Sequence, residues 1–92
     1  MKFFSQFRYE RLTKKLNFLN FLLEKEKKLK EEIEEKQEKI NKVRLSNIDD
    51  YVNNCLWEKW VELNGEFHKK FNIISKLEDK ISKTKRKINN LS

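Results

Sequence analysis

The chain has no proline, one glycine (Gly65) and one cysteine (Cys55). Tight β-turns draw on Gly and Pro for their special backbone angles, so a chain this poor in both cannot supply the connections of a sheet or of closely looped small domains. Long helices remain. A lone cysteine excludes an intrachain disulfide framework and a Cys-based metal site, and it fits a reducing intracellular compartment, either the cytoplasm or an organelle matrix such as the mitochondrion. Long apolar runs are also missing. The richest, Leu16 to Leu23, is interrupted by Asn17 and Asn20 and is far shorter than the roughly 20 residues of a membrane span. No transmembrane segment is expected.

What is present is charge and a recurring apolar residue. Of 92 residues, 40% are charged and 37% hydrophobic, too little apolar material for a multilayered core, so one seam of contact is the expectation. Leucine, isoleucine and phenylalanine nevertheless recur at helical spacing along the whole chain, which a disordered segment of similar charge would lack.

The second half carries the cleanest pattern. Leu56, Trp60, Leu63, Phe67, Lys70, Ile74, Leu77, Ile81, Thr84, Ile88 and Leu91 follow one another at alternating steps of four and three, and nine of these eleven positions are apolar. This heptad seam predicts coiled-coil-like packing against another helix. The first half is less regular. Leu12, Leu16, Leu19 and Leu23 make one stripe, and Leu22, Leu29, Ile33, Ile40 and Val43 make a second, which reads as a seam displaced near Leu22 and Leu23.

The segment Ser46-Asn47-Ile48-Asp49-Asp50 has the form of a helix start, with a small polar cap and carboxylates in the first turn. The expected fold is therefore all-α: one antiparallel helical hairpin domain over 1–92, with arm one at about 5–44, a turn at about 45–48 and arm two at about 49–90. Asn64-Gly65 is the one candidate for a further break. Since Trp60, Leu63 and Phe67 pass through it in phase, a continuous or slightly kinked second helix is favoured over a three-helix arrangement.

Folded this way, the hairpin would be electrically polar. Its open end collects Arg8, Arg11, Lys14, Lys15, Lys80, Lys83, Lys85, Arg86 and Lys87, a surface that attracts polyanions such as RNA without reading sequence. Phe3, Phe4, Phe7 and Tyr9 lie beside it in the sequence, and such rings either anchor in a partner's groove or stack on unpaired bases. Phe18 and Phe21 belong to a patch reaching Leu23 that faces two ways, and Tyr51, Val52, Trp57 and Val61 lie off the seam near the turn. Phe3, Phe4, Phe7, Phe18, Phe21, Tyr51, Trp57 and Val61 are the candidate protein interface.

Little in the chain resembles a catalytic apparatus. Cys55 and His68 are the only soft metal ligands, and thirteen residues of helix would hold them roughly 20 Å apart. Cys55 is expected to be a small packing residue and His68 a solvated one. No Gly-rich phosphate loop occurs, and no cofactor is implied. The start, Met1 to Arg8, has no acidic residue and resembles a weak organelle-targeting segment, although it is short and runs on into the helix. The expectation is a non-enzymatic accessory or scaffolding subunit of a larger intracellular assembly, such as a ribonucleoprotein, binding protein through apolar stripes and RNA through the basic end. The alternatives are a self-associating four-helix bundle, a small inhibitor of another protein, and a membrane-surface protein.

Overall fold

The computed structural model describes the backbone of residues 2–46 and 49–91, and the side chains of residues 6–46 and 49–91. It contains two long helices, α1 (Lys2–Ser46) and α2 (Asp50–Leu91). Both take part in two compact units, one formed by Met1–Glu26 with Ile73–Ser92 and the other by Lys27–Asn72. In each unit the part of α1 nearer one chain terminus meets the part of α2 nearer the other, so the chain is an antiparallel helical hairpin.

The seam of α2 is realised at every position. All eleven heptad residues from Leu56 to Leu91 are buried or half-buried, and among the other described residues of α2 only Asn53 and Asn64 are similarly shielded. Helix α1 corrects the expectation of a displaced seam. Leu12, Leu16, Leu19 and Leu23 continue at unchanged steps through Glu26, Lys30, Ile33, Gln37, Ile40 and Arg44, all at least half-buried, while Val43 is 47% exposed. The line of contact does not shift. It passes over polar side chains, and Leu22 and Leu29 flank it half-buried.

The unit that holds both chain termini has the apolar core. Leu19 and Leu23 of α1 pack with Ile74, Leu77 and Ile81 of α2, and Leu16 and Leu22 lie against this cluster. Burying a leucine or isoleucine side chain contributes roughly 1.5–3 kcal/mol, so these residues dominate the stability of the unit. Thr84 joins the seam at 3% exposure, its hydroxyl satisfied by the Lys80 carbonyl of its own helix at 2.8 Å.

The other unit buries Ile33 and Leu63, but polar residues occupy several of its seam positions. Lys30 lays its ammonium 5.1 Å from the Phe67 ring centroid and 5.7 Å from that of Phe71. Gln37 donates from Nε2 to the Trp60 carbonyl at 3.5 Å, a long contact. Arg44 sets its guanidinium 4.7 Å over the Trp57 ring. Polar groups are thus tolerated because α2 offers aromatic faces and a carbonyl where α1 offers cations and an amide.

The helix junction also departs from the sequence reading. Ser46 does not cap α2. Its hydroxyl donates to the carbonyls of Val43 at 3.0 Å and Lys42 at 3.2 Å, so it ends α1. The cap is Asp49, whose Oδ1 accepts the backbone N–H groups of Tyr51 at 2.9 Å and Val52 at 3.2 Å. Its own carbonyl accepts the N–H of Asn53 at 3.0 Å, which is the first helical bond. A carboxylate here also meets the positive end of the helix dipole. Asn47 and Ile48, part of the expected turn, lie outside the described residues.

Gly65 does not break α2, which runs from Asp50 to Leu91 without interruption. A methyl group added there would have no atom of another residue within 4 Å. Gly65→Ala should therefore stabilise the hairpin by about 0.5–1 kcal/mol, the entropic cost of glycine in a helix interior. Urea unfolding followed by circular dichroism would read this as a raised midpoint with unchanged slope. Asp49→Ala should destabilise by about 1 kcal/mol in the same assay, and Asp49→Asn should retain most of the stability because the acceptor geometry survives.

Candidate interaction surfaces

The nine cations assigned from sequence to the basic end all fall in the unit that holds the chain termini, and all nine are exposed. Residues 1–26 and 73–92 carry twelve Lys or Arg and five Asp or Glu, whereas residues 27–72 carry ten of each. The first unit therefore holds the full net charge of +7 and the second is neutral. Arg8, Arg11 and Lys15 surround Leu12 at a shallow depression of about 330 Å³, which is open to solvent and places three cations around one aliphatic floor. Lys83 is not wholly available, since it pairs with Asp79 at 3.1 Å one turn earlier.

The aromatic candidates of this unit stand in water. Phe7 is 61% exposed, Phe18 60% and Phe21 65%. None of the three belongs to the seam. Tyr9 is also exposed, and its carbonyl accepts the Thr13 hydroxyl at 2.9 Å. Phe3 and Phe4, the other two rings expected at this surface, have side chains outside the described residues.

In the neutral unit, Tyr51, Trp57 and Val61 are exposed, as their off-seam positions predict. Trp57 is partly covered, because it stacks on Trp60 with centroids 5.1 Å apart and planes within 5° of parallel. Arg44 lies against the same ring. The arginine continues into a shallow depression of about 300 Å³ lined by Asn41, Arg44, Leu45 and Asn53, beside which Leu45 stands 89% exposed. Sequence reasoning gave Arg44 only the role of suiting a helix end. The signal that could have found it is its place in the heptad count from Leu23 through Lys30 and Gln37.

Cys55 corrects a second expectation. It is a free, exposed thiol and not a packing residue. One position before the seam residue Leu56 on a helix, it is rotated by about 100° away from the contact line. His68 is exposed as expected, with an edge-on contact to Phe67 at 5.7 Å. No described group of three or more His, Cys, Asp or Glu is arranged to hold a metal ion, and no described helix is long and apolar enough to cross a membrane.

The Arg44–Trp57–Trp60 arrangement fixes an expected outcome. Arg44→Ala should cost about 0.5–1 kcal/mol of hairpin stability, the value of a partly solvated cation–π contact together with its packed stem. Arg44→Lys should restore only part of this, because an ammonium cannot lie flat on an indole. Thermal melts of the three proteins at one concentration would check the order.

No known family model matches the chain, and no curated protein or solved structure shows significant similarity to it.

Proposed function

We propose that this chain is a non-catalytic accessory or scaffolding subunit of a larger intracellular assembly, docking on protein partners through its exposed aromatic faces and contacting RNA phosphate through its basic unit. The observation that carries this reading is the segregation of charge: +7 in one unit and zero in the other. Charge collected on one surface raises the local concentration of a polyanion and speeds its capture. The exposed cations are mostly lysine, eighteen of the twenty-two basic residues. Lysine meets phosphate as a point charge without the two-pronged geometry of arginine, so binding would be largely independent of sequence.

Protein docking is supported by the second set of exposed side chains. Tyr51, Trp57 and Val61 are of types that anchor interfaces when covered, and Tyr and Trp are enriched among energetic hot spots. A two-helix hairpin offers them no cover of its own. A stand-alone interaction module is the second reading, favoured by the exposed phenylalanine face of α1.

Titrating a labelled single-stranded RNA with the protein should give an affinity that falls steeply between about 50 and 200 mM salt. Replacing Lys80, Lys83 and Lys85 together with glutamine should weaken binding, and replacing Lys36, Lys59 and Lys69 should leave it nearly unchanged. Affinity insensitive to salt, or lost equally in both triple variants, would remove RNA from the proposal.

A further inference from the structure

Helix α1 carries a second heptad series on the side turned away from its seam. Phe7, Arg11, Lys14, Phe18, Phe21 and Lys25 are spaced by four and three, and all are exposed. The same spacing continues through Lys28, Glu32, Glu35, Lys39 and Lys42, which are exposed as well. From Arg11 to Lys42 the residues come in chemical pairs: cationic, aromatic, cationic, anionic, cationic. Three phenylalanines at 60–65% exposure on one face are costly to leave in water, and heptad spacing is the spacing at which another helix covers them.

We infer that the occupant of this face is a second copy of α1, antiparallel and centred on Leu23, so that the chain forms a four-helix homodimer. In that register Phe21 falls opposite the second copy's Lys25 and Phe18 opposite its Lys28. Lys14 meets Glu32 and Arg11 meets Glu35. Phe7 meets Lys39. Every one of these pairs is attractive, either a cation over a ring or an ion pair, and the two-fold axis repeats each of them. The register also sets the two heptad positions of one helix against the opposite positions of the other, as antiparallel pairing requires.

The pattern rejects its neighbours. Sliding by one heptad in one sense sets Arg11 against Lys28 and Lys14 against Lys25, and in the other sense sets Lys25 against Lys28 and Arg11 against Lys42. A parallel pair in register would oppose each charge to itself. Slips of two heptads keep like charges apart but leave fewer pairs. A stripe of mixed charge with no partner in mind has no reason to be consistent with one direction and one register. The dimer would leave Arg8 and Lys15, which lie off the stripe, and the α2 cations free for a polyanion, so it stands independently of the RNA contact.

Charge exchange tests the register. Sedimentation equilibrium of the full chain at low salt should give a dimer that weakens as salt rises. Lys14→Glu and Glu32→Lys should each weaken dimerisation by roughly tenfold, and the double variant carrying both should recover it, since the pair is then restored with reversed sign. Circular dichroism of each variant should show unchanged helix, because both positions are solvated. A monomeric wild-type chain would overturn the proposal, leaving the face open to a different occupant. A dimer indifferent to the single changes, or one that the double variant fails to restore, would place the contact on another face and overturn it equally.

Discussion

Two helices lying side by side share a single line of contact, and everything else in this structure follows from that geometry. Each helix can shield one stripe about two residues wide per turn, so apolar side chains beyond it stay in water. This is why seven hydrophobic residues are buried while Phe7, Phe18, Phe21, Leu45 and Tyr51 are well over half exposed. The exposed set is no defect of packing in the hairpin. It is surplus that a two-helix architecture has no means of covering.

The line of contact changes chemistry between the two units. Around Leu19, Leu23, Ile74, Leu77 and Ile81 it is aliphatic and supplies stability through burial. In the other unit, Lys30, Gln37 and Arg44 sit on the line and find Phe67, the Trp60 carbonyl and Trp57. Such pairs add less energy than aliphatic contacts, yet each suits only one opposing position, and a slip of one heptad would leave a cation facing leucine. Polar residues at seam positions fix register at some expense of stability, so one unit holds the hairpin shut and the other holds it aligned.

The legibility of the sequence follows the same division. Helix α2 could be read residue by residue, because nine of its eleven seam positions are apolar and periodicity alone identifies them. In α1 the search for apolar stripes jumped from Leu23 to Leu22 and Leu29, since Glu26, Lys30, Gln37 and Arg44 look like solvent-facing residues until their partners are known. Val43 was gathered into the wrong stripe for the same reason. Ser46 and Asp49 are both good capping residues, and propensity cannot say which closes one helix and which opens the next. The basic surface was legible as composition. The Arg44–Trp57–Trp60 stack was not, because its three members lie on two helices whose register the sequence leaves open.

Lysine-rich chains invite the objection that base composition, and not selection on a surface, produced the charge. The distribution of acids answers it. The two units are of equal length, 46 residues each, and their basic counts differ little, twelve against ten. What separates them is the acidic count, five against ten. A bias toward lysine codons acts on both units alike and explains the basic residues in each, but it does not remove half of the carboxylates from one of them. The positive unit is defined by the acids it lacks, and a surface kept clear of carboxylates is what attraction to an anionic partner requires, because each acid so placed would cancel a cation and repel the ligand within about a Debye length.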